Sequence, residues 1–268
     1  ASIAQSAAPN ASSHVRLTSD GTPSSPLFAA APTICPILCS ISPIARRIQK
    51  AFVDEFVRLG GRAHADFAYS TSAANLSALR AVLACFEREG VQQVLSVGDI
   101  VGYGAAPGEC IELVRSVGAI VVKGNHDAAC VGELDLRYFN NYAREAMRWT
   151  QSVVTEAQCE WLASLPLTVD LEHCSVGHGT YRRPELFDYV QSTTDADPSL
   201  DVLPTPVCFV GHTHVPVTCL RLREDPLRTA YTTDTELDLT ECSKALVNVG
   251  SVGQPRDEDS RAAYAVFD

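Results

Sequence analysis

The sequence predicts an α/β fold in which two sheets meet face to face and helices lie outside them. Three observations carry that expectation. From residue 62 onward, short apolar runs alternate with amphipathic stretches. Helical patterns gather early in that span and strand patterns late. Hydrophobic residues make up 46% of the 268, enough to fill one large core.

Residues 1–42 precede the alternating pattern. They are rich in Ala, Ser and Pro, and read as a disordered or loosely packed arm. Their most apolar part is interrupted by Pro32 and Pro36, with Pro43 just beyond, and is too broken to span a membrane. It also lacks the basic flank and clean cleavage site of a secretion signal. An extra helix is expected over 43–61. Ser42 can cap it, Pro43 suits its first turn, and Gly60-Gly61 stops it. Ile44, Ile48, Phe52 and Phe56 recur every four residues and form one apolar stripe.

The main domain is expected over 62–268. Its first helix reads as 76–89, ended by Gly90. A β-branched strand over 94–97 runs into Gly98-Asp99. Residues 109–117 read as helix, 119–122 as strand, and 141–150 and 156–164 as helices. Strands are expected over 167–171, 174–176, 207–210, 215–222, 245–247 and 262–267.

Lys and Arg number 21 against 32 Asp and Glu, a net charge of −11. That balance argues against binding nucleic-acid polymers or an anionic membrane. A small phosphorylated substrate remains compatible, because a bound metal ion can override the global field. Of ten cysteines, only Cys35 and Cys39 sit close together, a weak zinc signal. Most of the others fall in apolar or helical contexts, as buried free thiols of a cytoplasmic protein do.

Four segments share one pattern: an apolar strand, a glycine, then Asp, Asn or His. They are Val97-Gly98-Asp99, Val122-Lys123-Gly124-Asn125-His126-Asp127, Val176-Gly177-His178-Gly179 and Val210-Gly211-His212-Thr213-His214. Strand ends are where α/β proteins place ligands. A carboxylate, an amide oxygen and several imidazoles suit divalent Mn, Fe, Co, Ni or Zn. Four of the seven histidines lie in these segments.

In this order the four motifs resemble the calcineurin-like metallophosphoesterases over about 66–268. Gly98-Asp99-Ile100-Val101-Gly102-Tyr103-Gly104 and the run from Asn248 to Asp257 look like a bacterial and archaeal branch related to diadenosine tetraphosphatase and serine/threonine phosphatases. The resemblance implies a four-layer αββα sandwich of two mixed sheets, and hydrolysis of a phosphomonoester or phosphodiester. It implies one or two divalent ions per chain. Asp99 would bridge them, Asn125, His178 and His212 would complete one site, and His214 would serve the other. His126 would assist the leaving oxygen, with Asp127 orienting its ring. Gly250, Ser251 and Arg256 would meet a substrate phosphate. The substrate would be a phosphorylated small molecule or a phosphoprotein.

The family's first motif, Ser-Asp-x-His-x-Asn-Leu, falls on Ser70-Thr71-Ser72-Ala73-Ala74-Asn75-Leu76. Thr71 stands for the aspartate and Ala73, which has no ligating atom, for the histidine. Three accounts follow. The chain is an impaired hydrolase, recruiting water, His64 or Asp66; or it is a silent protein that binds a phosphorylated ligand or partner; or the frame upstream of Ala74 is shifted. Ser70-Thr71-Ser72 can be encoded TCG-ACA-TCC, which holds GAC-ATC, Asp-Ile, one base out of register.

Overall fold

Asn75 opens the helix α1 (Leu76–Glu89). Its side-chain oxygen accepts the Ala78 N–H at 3.2 Å, and Gly90 closes the helix in the left-handed conformation. The computed structural model describes residues 14–18, 66–69 and 74–267. Twelve strands lie among the described residues: β1 (His14–Thr18), β2 (Asp66–Tyr69), β3 (Gln93–Ser96), β4 (Ile120–Val121), β5 (Thr168–Asp170), β6 (Cys174–Gly177), β7 (Val207–Val210), β8 (Val217–Leu222), β9 (Ala230–Thr232), β10 (Glu236–Asp238), β11 (Cys242–Asn248) and β12 (Tyr264–Phe267). The further helices are α2 (Pro107–Ser116), α3 (Asn125–Cys130), α4 (Asn141–Val153), α5 (Glu156–Ser164) and α6 (Thr193–Val202).

The strands form two six-stranded sheets, ordered β10-β1-β12-β2-β3-β4 and β5-β6-β7-β11-β8-β9. Both are mixed. In the first, β2, β3 and β4 are parallel and β12 pairs antiparallel with β2. In the second, β6, β7 and β11 are parallel, while β8 returns antiparallel on β11.

Inward-facing side chains of both sheets make one core, including Leu95, Val97 and Val122 from the first and Val176, Phe209 and Val247 from the second. Phe209 of β7 meets Phe267 of β12 edge to face at 5.5 Å, bridging the sheets. Helices α1, α2, α4 and α5 bury Leu79, Val82, Phe86, Ile111, Met147 and Leu162 in a second core on the outer side of the first sheet. Helix α6 lays Ala196 and Leu200 on Cys208, Val210 and Leu246 of the second. The order is therefore helix, sheet, sheet, helix, as the resemblance implied.

One expectation needs correction, and three further elements had no reading in the sequence. His14–Thr18, inside the segment read as an arm, forms a strand between β10 and β12, with Val15 buried in the core between the sheets. Its alternation of His, Val, Arg, Leu and Thr is a short strand pattern that the surrounding Ala, Ser and Pro obscure. Helix α6 has Pro198 inside it and begins Thr-Thr-Asp-Ala-Asp, which reads as loop. Capping by Ser192 and burial of Ala196 and Leu200 override that local preference. The exposed strands β9 and β10 also went unread. The helix expected over 43–61 lies outside the described residues.

Eight of the cysteines are described and all are free thiols, seven of them buried. No helix among the described residues is long and apolar enough to cross a membrane. Phe209 is wholly buried at the contact between the sheets. Phe209→Ala should therefore cost about 3–5 kcal/mol in a urea unfolding experiment. A loss under about 1 kcal/mol would mean that the sheets do not meet there.

Candidate metal centre

The parallel strands β3, β4, β6 and β7 end on one rim, and the residues after them converge there. Asp99 follows β3, Asn125 and His126 open α3 after β4, His178 follows β6 and His212 follows β7. Asp99, His212 and His214 hold left-handed backbone angles, with φ of 55°, 67° and 64°. Non-glycine residues carry such angles at a cost of order 1–3 kcal/mol each, which the surrounding fold must offset. Gly124 is needed for a different reason: a Cβ there would collide with the Asp99 side chain and backbone.

The His178 ring sets the chemistry of the site. Its Nδ1 lies 2.6 Å from the Val97 carbonyl, so that nitrogen carries the proton and donates it. The Nε2 lone pair then faces Asn125 Oδ1 at 3.1 Å, His212 Nδ1 at 3.0 Å and Asp99 Oδ2 at 3.4 Å. Ligand atoms of Asp99, His178 and His212 all lie within 4.8 Å of one another, and all three residues are buried. His212 Nε2 is buried with no hydrogen-bond partner. Lone pairs thus crowd together with few protons to share, and a cation relieves that crowding. The donor set fits a divalent transition ion, with Asp99, Asn125, His178 and His212 to hold it.

Burial alone would raise the Asp99 carboxyl, but the His178, His126 and His212 rings outweigh it and hold it well below the usual range. Burial would lower His178, yet the Asp99 carboxylate raises it. Burial and then the His178 ring lower His212 to about 3. Burial, followed by Arg256, lowers His214 to about 4.

His214 stands beside the cluster and feels the Asp99 charge. Its Nδ1 donates to the Gln254 carbonyl at 2.7 Å, which puts the ring's lone pair on Nε2. The His126 backbone N–H donates to Asp99 Oδ1 at 2.9 Å. Its ring packs between Tyr103, at 4.8 Å, and the edge of Phe139, at 5.0 Å. A Cβ on Gly102 would come within 2.7 Å of His126 Nδ1, so glycine makes room for the imidazole.

The family model described as calcineurin-like phosphoesterase superfamily domain matches residues 63–268. The chain belongs to this superfamily. An uncharacterized protein of Methanocaldococcus jannaschii is 36% identical over 200 residues, covering 72% of this chain and 78% of that protein. The crystal structure of a metallophosphoesterase from Sphaerobacter thermophilus has 38% identity and a TM-score of 0.64, covering 77% of this chain and 87% of that one. A hypothetical protein from Pyrococcus horikoshii, 19% identical with a TM-score of 0.56 over 72% of this chain and 79% of its own, shares the fold. Phosphoester hydrolysis is the chemistry of the calcineurin-like family, and its members bind divalent metals.

Several residues sit differently from what the resemblance implied. Asp127 does not bond the His126 ring. Its carboxylate, raised to about 7 chiefly by burial, accepts the Gly124 N–H at 3.0 Å and the Val101 N–H at 3.3 Å. It ties the Asp99 loop to the start of α3. The Gly250 N–H donates to Asn248 Oδ1 at 3.0 Å, and the fully buried Ser251 accepts the Gln254 N–H at 3.0 Å. Those two brace a turn, and of that loop Arg256 is the exposed member. The Tyr181 hydroxyl donates to Asp170 Oδ1 at 2.9 Å. Thr71, Ala73 and His64 lie outside the described residues, as does the Asp66 side chain.

Two further residues contribute to the centre. Tyr189 stacks on His212 at 4.0 Å. That contact depends on the path of the 179–190 loop, which no local pattern encodes. Asn248 was legible as a polar residue ending a buried strand. Its Nδ2 donates to the Gly211 carbonyl at 2.7 Å and to Thr213 Oγ1 at 2.9 Å, fastening the His212–His214 loop to β11. Asn248→Ala should lose about 1–3 kcal/mol in chemical denaturation, because the Gly211 carbonyl is left buried without that donor. Unchanged stability would show that the loop is held by other means.

Proposed function

We propose that this chain hydrolyses a phosphomonoester or phosphodiester, of a phosphorylated small molecule or a phosphoprotein, at the centre built by Asp99, Asn125, His178 and His212. The observation that supports this most is the meeting of four ligating groups at a His178 nitrogen whose tautomer the Val97 carbonyl fixes. A bound Mn, Fe, Co, Ni or Zn ion supplies Lewis-acid activation of water and neutralises phosphoryl charge.

The chain's own groups do the rest. The His126 backbone bond to Asp99 keeps its ring beside the ligands. Burial, ahead of the Asp99 charge, lowers the pKa of His126 and favours a neutral ring. With Nδ1 enclosed against Gly102, His126 offers Nε2 to the leaving oxygen. Arg256, exposed beside Tyr103, presents a guanidinium fork to phosphoryl oxygens. Tyr103 and Phe139 pack the His126 ring on two sides. Asp127 and Asn248 act on the loops and not on the substrate.

The second ion is the weak point. Ala73 offers no ligand and Thr71 no carboxylate, so we assign one complete site and reduced activity. Elemental analysis of protein loaded with manganese should find about one ion per chain, lost in Asp99→Ala. Turnover of p-nitrophenyl phosphate or bis-p-nitrophenyl phosphate should be measurable and should vanish in the same variant. The double change Thr71→Asp with Ala73→His should add a second ion and raise turnover about tenfold or more. Metal retained with no turnover, before and after that double change, would contradict hydrolysis and favour a silent protein that binds a phosphorylated ligand.

A further inference from the structure

Two tyrosines flank the centre, each packed on one of its histidines. Tyr189 lies nearly parallel to the His212 ring, with centroids 4.0 Å apart and 22° between planes, yet it is 47% exposed. One face of the phenol meets His212, and nearly half of the residue remains open to solvent. Tyr103 packs on His126 at 4.8 Å. The Arg256 guanidinium lies 6.0 Å from the Tyr103 ring centre, with Nη2 3.5 Å from its hydroxyl.

The Tyr189 position is built into the fold. Val190, the next residue, is buried with Ala196 and Leu200 of α6. Phe187 stands edge-on to His178 at 6.0 Å. Gly179 leaves room for the Asp188 carbonyl, which a Cβ would strike. Anchors on both sides of Tyr189 therefore hold a flat aromatic surface at the edge of the ligand cluster.

An exposed aromatic face beside a charged centre favours a flat partner. A planar ring covers it fully and gains stacking on top of apolar burial, which an alkyl group does not. We propose that Tyr189 is a stacking platform for a planar aromatic group carried by the phosphoester, with Arg256 meeting the phosphoryl charge. This inference rests on the phosphoester reading of the same centre and names its substrate class as aromatic: aryl esters or nucleoside esters.

Calorimetric binding to the manganese-loaded protein tests it without requiring turnover. Phenylphosphonate is compared with methylphosphonate, and adenosine monophosphate with ribose 5-phosphate. In at least one pair the aromatic member should bind about tenfold tighter, and that pair identifies the aryl or the nucleoside source. Tyr189→Phe should keep the ratio and Tyr189→Leu should bring it close to one. A ratio near one in both wild-type pairs, a ratio that survives Tyr189→Leu, or no binding of any of the four ligands would overturn the platform. An aromatic preference in a protein that turns over no phosphoester would sink the hydrolytic reading and leave the platform standing.

Discussion

The hydrogen bond from His178 Nδ1 to the Val97 carbonyl, 2.6 Å long, joins the two halves of this molecule. His178 follows β6 of one sheet and Val97 follows β3 of the other. The bond is possible only because the sheets face each other with their parallel strands ending on the same rim. It also bears on the chemistry, since a neutral ring that donates from Nδ1 turns its Nε2 lone pair toward Asp99, Asn125 and His212. Without it the ring could turn, and proton and lone pair could exchange places. Sheet packing, tautomer and ligand geometry are thus one constraint seen at three scales.

The rest of the centre is arranged to keep that ring supplied with neighbours. Asp127 and Asn248 are buried polar residues whose bonds go to backbone, and each fixes a loop that carries ligands. Left-handed angles at Asp99, His212 and His214 aim side chains into a space that ordinary strand exits would miss. Such angles persist only where neighbouring packing overdetermines them, and the cores beneath the rim supply that packing. The acidic net charge of the chain, −11, has little bearing here, because burial and then the neighbouring His178 ring act most strongly on Asp99.

Much of this was legible from residue order. Helix α5 (Glu156–Ser164) and strand β7 (Val207–Val210) appeared with the expected bounds, the first because Thr155 and Gln158 make a capping box at its start and the second because a short apolar run before Gly211 reads as a buried strand. The four glycine-bearing strand ends were equally legible, since a ligand motif at the end of a parallel strand is a local signal. What failed was whatever depends on distant contacts. Strand β1 owes its existence to β10 and β12, and α6 to the face of the second sheet. Asp127 looked like a partner for the next-door ring, yet three residues of helix turn its carboxylate back to Gly124. The Tyr189 stack depends on a loop held by α6, and no pattern within that loop announces it.

Membership in the calcineurin-like superfamily makes phosphoester chemistry the background against which Thr71 and Ala73 stand out, while the described residues bring Asp99, Asn125, His178 and His212 together. The central claim is that this set is a divalent-cation site. Anomalous X-ray diffraction from manganese-soaked crystals, recorded above and below the metal edge, tests it most directly. The account predicts a peak about 2.0–2.4 Å from Asp99, Asn125, His178 and His212 ligand atoms together. A peak held by other residues, or none at this rim with manganese in excess, would contradict it.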